Sequence, residues 1–142
     1  MKNLVATILL LLSVSVFSQA QDYINFEKLS YKDVLRKSRE LQKPVFVDFY
    51  ADWCLPCKMM DKEIFTDPQL ARYINHNFVS VKVDADHPVG KRIADNYEVY
   101  SLPTLLMVDE RGNVLKNSDR VLGPEALLKM AQKAKKKYDK KR

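Results

Sequence analysis

A chain of 142 residues is long enough for one domain with a buried core and too short for two. Its 46% hydrophobic and 30% charged residues exclude a disordered polar chain and a membrane-embedded bundle, and three glycines are few for an all-β barrel of tight turns. The net charge of +6 is concentrated: eight cations lie from Lys129 onward against one acid, Asp139. The chain therefore reads as a near-neutral domain with a basic tail over residues 133–142, not as a basic nucleic-acid-binding domain.

The first twenty residues read as a leader. Lys2 gives a positive start, the run from Leu4 to Phe17 has no charge, and Ser18-Gln19-Ala20 supplies small residues for cleavage after Ala20. An uncleaved anchor is the competing reading, but a spanning helix needs about 20 apolar residues and this run is shorter. A mature domain over 21–142 is expected. Asp139-Lys140-Lys141-Arg142 is not an endoplasmic-reticulum retention signal and no Asn-x-Ser/Thr sequon occurs, which points to a bacterial periplasm.

Ser30 is placed to cap a helix, with Asp33 three residues on. Val34, Leu35, Ser38 and Leu41 fall on one face of that helix, and Lys43-Pro44 ends it. Val45-Phe46-Val47-Asp48-Phe49-Tyr50 is short and continuously apolar apart from Asp48, the pattern of a strand buried on both faces. Cys54-Leu55-Pro56-Cys57 follows at once and opens a helix over 58–65. Asp67-Pro68 caps a further helix over 68–75. A strand over 78–83 and a helix over 88–97 come next. Strands over 104–108 and 114–116 are then joined by the turn Asp109-Glu110-Arg111-Gly112-Asn113. Gly123-Pro124 starts the last helix, in which Leu127, Ala131, Ala134 and Tyr138 repeat at helical spacing. Strands separated by helices, with a late antiparallel hairpin, predict an α/β domain whose mixed sheet is covered by helices on both faces.

The two cysteines, Cys54 and Cys57, are the chain's only ones. A bridge over two residues removes little chain entropy, so the pair is poorly placed as a staple and its expected use is chemical. At a helix N-terminus, unpaired backbone N–H groups and the positive end of the helix dipole stabilise a thiolate. The first cysteine is then expected to face out as nucleophile. The second, one turn inward, is expected to resolve the mixed disulfide. Zinc needs two more ligands, and His76 and His87 lack ligand spacing, so no metal site is read. A Cu(I)-binding module on the same thiols is an alternative of another class. Met59 and Met60 lie nearby, but at their helical positions they are expected in the core.

The segment Val47-Asp48-Phe49-Tyr50-Ala51-Asp52-Trp53-Cys54-Leu55-Pro56-Cys57-Lys58 resembles the active-site segment of thioredoxins, and Ser101-Leu102-Pro103-Thr104 resembles their cis-proline loop. The longer run through Phe65-Thr66-Asp67-Pro68 is similar to the C-terminal thioredoxin-like domain of periplasmic disulfide-interchange reductases. The resemblance implies a thioredoxin fold and several roles. Asp48 is the buried acid that takes the proton of Cys57. Lys82 is its neighbour, against the plainer reading of an exposed strand lysine. Pro103 is a cis proline, Leu102 offers backbone hydrogen bonds to a substrate peptide, and Trp53 is a flat shelf beside Cys54, against the alternative of a core tryptophan. Pro56 keeps the helix start rigid and matches reductases. Leu55 departs from the glycine of thioredoxins and sets an apolar side chain at the mouth.

The sequence thus predicts an exported thiol–disulfide oxidoreductase without a bound cofactor. It reduces protein disulfides in the periplasm and is recharged by a membrane-embedded electron donor. The alternative is the same fold run as an oxidase or isomerase. The basic tail is either a solvated helix end or a weak contact to anionic membrane.

Overall fold

Strand β1 (Val45–Tyr50) is the centre of the sheet because it can be buried on both sides: Val45, Val47 and Phe49 face one layer, Phe46 and Asp48 the other. The computed structural model describes residues 23–142; the expected leader lies outside the described residues. Around β1 the described elements are α1 (Tyr31–Leu41), α2 (Leu55–Met59) running into a π-helical turn (Met60–Ile64), α3 (Pro68–Asn77), β2 (Val79–Asp84), α4 (Pro88–Asn96), β3 (Thr104–Val108), β4 (Val114–Ser118) and α5 (Pro124–Lys140). The four strands take the order β2-β1-β3-β4. β1 runs parallel to β2 and antiparallel to β3, with Asp48 opposite both Lys82 and Leu105. This is the expected mixed sheet.

Two cores follow from the alternation of the strands. Phe46, Leu105 and Met107 meet Met60, Phe65, Leu70, Ile74, Leu127, Ala131 and Tyr138 on the face covered by α2, α3 and α5. Val45, Val47, Phe49, Val81 and Leu106 meet Val34 and Ala94 on the face covered by α1 and α4. Before α1, Phe26 bridges to Ser80 in parallel and Glu27 N–H donates to Ser80 O at 2.8 Å, so the chain lines the outer edge of β2.

Local chemistry fixes the helix ends. Ser30 Oγ accepts from Asp33 N–H, and Asp67 Oδ1 accepts from Leu70 N–H at 2.8 Å. Buried Ser38 donates to Lys43 O at 2.5 Å, closing the end of α1. Gly90 is required by closeness: a Cβ there would lie 1.9 Å from Asp84 O.

Several expectations are corrected. Leu41 does not face the core but is half-exposed, because α1 ends there and Gln42 turns into the left-handed region at φ 53°. The helix after the cysteines begins at Leu55, not 58, and converts to a π turn in which Phe65 N–H donates to Met60 O. Met60 is buried as expected, but Met59 is exposed. As read from the sequence, residues 133–142 lie on the end of the last helix: α5 continues to Lys140, and Tyr138, 2% exposed, ties its last turns to the core.

Candidate functional site

The active-site segment sits where β1 ends. Cys54 N–H donates to Ala51 O at 3.0 Å, and Cys54 then caps α2, its sulfur accepting from Cys57 N–H at 3.3 Å. Pro56 lies in the first turn, where its missing N–H costs nothing and its fixed φ suits the helix start. Cys54 and Cys57 are joined in a disulfide with Cα atoms 5.3 Å apart.

One sequence expectation fails here. Cys54 does not face out: it is 1% exposed and Cys57 2%. The closed disulfide turns the Cys54 sulfur toward Cys57, and Tyr50, Ala51 and Leu102 pack over the pair. The open surface belongs to their neighbours, Trp53 at 69% and Leu55 at 75% exposure. Trp53 is thus no core tryptophan. Its indole N–H donates to Asp86 Oδ2 at 2.7 Å, and Asp86 is held by its own N–H donating to Asp84 Oδ1 at 2.9 Å. Ala85 N–H donates to Tyr50 O at 2.8 Å, which ties this loop to the end of β1.

The Leu102–Pro103 peptide bond is cis. Pro103 is buried and Leu102 half-buried, against the cysteine pair. Thr104 Oγ1 donates to Ser101 O at 2.7 Å and steadies the loop, whose Tyr100 stands in solvent.

On the face of the sheet that α2 covers lies a charged cluster. Asp48 is 1% exposed, and its Oδ2 accepts from Lys82 Nζ at 2.5 Å. Lys82 also donates to Asp61 Oδ1 at 2.6 Å, and its ammonium lies 4.8 Å from the Tyr50 ring centre, 5.0 Å from that of Phe26 and 5.4 Å from that of Phe65. Among the described residues Asp48 Oδ1 has no hydrogen-bond partner. Burial pushes the Asp48 carboxyl above the ordinary carboxylate value, against the pull of Lys82. Burial works against the charge of Lys82, but Asp48 and Asp61 outweigh it and hold the ammonium above the ordinary lysine value. A buried carboxyl held above its ordinary value beside a fixed cation, with one oxygen left without a partner among the described residues, is suited to take up and return a proton.

The structure therefore gathers Cys54, Cys57, Trp53, Leu55, Pro56, Leu102 and Pro103 at one end of β1, and sets Asp48 with Lys82 within the sheet behind them. Sequence reasoning missed Asp61 and Asp86. Asp61 lies four residues after Cys57, the spacing that puts two side chains on one helix face, so a signal for it existed. No local pattern announces Asp86. Among the described residues no group of three or more His, Cys, Asp and Glu side chains is arranged to hold a metal ion.

The family model for a thioredoxin-like domain matches residues 31–135. Among curated proteins, the thiol:disulfide interchange protein DsbD of Photorhabdus laumondii is 31% identical over 107 residues, covering 73% of this chain and 19% of that protein. DsbD of Salmonella typhi is 33% identical over 98 residues, covering 67% and 17%. The chain thus spans about a fifth of the length of these relatives. Among solved structures, that of a candidate disulphide-isomerase from Bacteroides thetaiotaomicron superposes with a TM-score of 0.69 at 34% identity, covering 79% of this chain and 93% of that one. The oxidised C-terminal domain of Neisseria meningitidis DsbD shares the fold, with a TM-score of 0.64 at 20% identity over 78% of this chain and 98% of the domain. With the fold, the disulfide at a helix start and these relatives in agreement, the chain belongs to the thioredoxin-like family and carries its Cys54–Cys57 pair at the start of α2.

Proposed function

We propose that the protein is exported to the periplasm through residues 1–20 and there reduces protein disulfides as a mature domain over 21–142. The observation that carries this reading is the Cys54–Cys57 disulfide at the start of α2, beside the Leu102–Pro103 loop and backed by buried Asp48. In the dithiol form the Cys54 thiolate attacks one sulfur of a substrate disulfide; the other sulfur leaves as a thiolate and takes up a proton. Asp48 accepts the proton of the Cys57 thiol. Cys57 then attacks Cys54, which releases the second substrate thiolate and leaves the Cys54–Cys57 disulfide. The substrate gains two electrons and the enzyme loses two. A membrane-embedded dithiol donor restores the reduced form. Trp53 and Leu55 form the apolar rim that receives the substrate, and the backbone of Leu102 pairs with its extended chain.

Trapping tests the assignment of roles. Cys57→Ser accumulates mixed disulfides with substrate proteins through Cys54, and Cys54→Ser accumulates none; the reverse result removes Cys54 as nucleophile. Equilibration with glutathione tests the direction. A reductase has a potential well below the roughly −120 mV of a strong oxidant, and a value near that figure makes the protein an oxidase. The N-terminal residue of the exported protein, expected at Gln21, tests the leader.

A further inference from the structure

Six lysines converge at the end of the molecule away from the cysteines. Lys133, Lys136, Lys137, Lys140 and Lys141 of the last helix and its cap, with Lys116 from β4, line one shallow groove, and no acidic residue lines it. Elsewhere on this helix the chain does neutralise its cations: Lys129 pairs with Glu125 at 2.8 Å and Lys135 with Asp139 at 2.6 Å. The groove has no acid of its own to do the same, although Lys141, at its end, also lies near Asp109 and Glu110. Its lysines repeat at three- and four-residue spacing, where like charges repel. The helix dipole rewards cations only in the last turn, which accounts for Lys137 and Lys140 but not for Lys133 or for Lys116 on another element. The face is rigid, because Tyr138 is buried beneath it and Lys137 Nζ donates to Leu115 O at 3.3 Å.

The position of this face follows from the strand register. Lys116 lies opposite Met107 and Val114 opposite Val108, while Met107 and Val108 lie opposite Phe46 and Val45. The lysines are therefore at the beginning of β1 and the cysteines beyond its end, a separation of about 16 Å along the strand at the usual rise per residue. Beside the disulfide, Trp53 is flanked in sequence by exposed Asp52 and hydrogen-bonded to exposed Asp86.

We infer that the lysine face docks on an anionic lipid surface and that it holds the Cys54–Cys57 end directed away from that surface. Lysine ammoniums on flexible stems suit a diffuse layer of headgroups; one fixed phosphate or carboxylate is better gripped by the planar fork of arginine, which this groove lacks. A protein so held presents its disulfide to substrates that diffuse beside the membrane and to the part of a membrane-anchored donor that projects from it. The contact is independent of the thiol chemistry.

The test uses the protein as the expressing cell processes it. Binding is measured to vesicles of phosphatidylcholine with about one third phosphatidylglycerol, at low and at physiological salt. The unaltered protein sediments with these vesicles at low salt and not with pure phosphatidylcholine. Neutralising Lys133, Lys136, Lys140 and Lys141 to glutamine is expected to weaken partition by about two orders of magnitude or more, since each cation contributes roughly fivefold near such a surface. Neutralising Lys28, Lys32, Arg39 and Arg72 to glutamine serves as the control and is expected to weaken it much less. Equal losses in the two variants, or no loss in the first, overturn the docking face. Tighter binding to duplex DNA than to the vesicles overturns the choice of lipid. Orientation is read from Trp53, the chain's single tryptophan. Its emission is expected to be unchanged by quencher-labelled lipids in the bound state, and strong quenching overturns the outward orientation.

Discussion

Replacing Asp48 with asparagine isolates the cost of the buried carboxyl. The two side chains have the same shape, so the change removes a charge without leaving a cavity. Asp48 Oδ1 lacks a partner among the described residues, and burial raises the carboxyl above its ordinary value of 3.8. Over the range between that value and the raised native one, the folded protein holds a proton that the unfolded chain has released. Stability therefore falls as pH rises through this range, by up to about 1.4 kcal/mol per pH unit. Removing one member of a buried ion pair is often harmful because it strands the other. Here Lys82 keeps Asp61 at 2.6 Å, and its side chain is 23% exposed to water. The expected difference, variant minus unaltered protein, is smallest in acid, below the ordinary carboxylate value, and grows as pH rises to about 1–3 kcal/mol in favour of the Asp48→Asn variant. Urea unfolding of the disulfide form of both proteins across this range measures it. A difference that stays flat with pH, or that grows toward acid, refutes the raised carboxyl. The same variant is expected to slow resolution of the mixed disulfide while leaving the first attack unchanged, and unchanged resolution takes Asp48 out of the mechanism.

Other changes probe the surrounding structure. Asp61→Asn removes a negative charge that helps keep Asp48 protonated and leaves Lys82 to Asp48 alone, so the pH range over which stability is lost moves toward acid; urea unfolding at several pH values detects the shift. Gly90→Ala sets a methyl group 1.9 Å from Asp84 O and is expected to cost more than about 3 kcal/mol, seen as a lower urea midpoint; a loss under about 1 kcal/mol means that α4 moves away freely. Tyr138→Ala empties a fully packed site below the last turns of α5 and is expected to cost about 3–5 kcal/mol, with faster amide exchange over residues 133–142; a silent change means that the helix end is not docked.

The parts of the fold that depend on a short repeat were legible. Leu127, Ala131, Ala134 and Tyr138 fall at helical spacing, and all four are buried. Val45–Tyr50 read as a doubly covered strand, and it is the centre of the sheet. The cysteine spacing named the chemistry because few other uses fit two thiols at a helix start. What was not legible depends on geometry between distant segments or on chemical state. The spacing of Asp61 from Cys57 placed it on the same helix face, but its bond to Lys82 joins segments 21 residues apart and no local pattern announces it. Asp86 meets Trp53 only because the end of β2 lies beside the end of β1. Cys54 was expected to face out at the helix start, but in the disulfide form it is buried under Tyr50, Ala51 and Leu102.

The stretch from Ile24 to Glu27 has a consequence for how the sheet meets other chains. An open sheet has two borders at which a foreign strand can add, and unguarded borders lead to self-association. At one border Phe26 lies beside Ser80 in a parallel bridge, Glu27 N–H donates to Ser80 O, and Lys37 fastens Glu27 at 2.6 Å. At the other, β4 is five residues long and shows Lys116 and Asn117 to water. The protein thus closes one border with a few residues that precede α1 and leaves a charged, short one opposite. Proteolytic trimming as far as Glu27 would leave both cysteines in place yet expose the outer side of β2, converting a self-contained oxidoreductase into one prone to stack through its sheet.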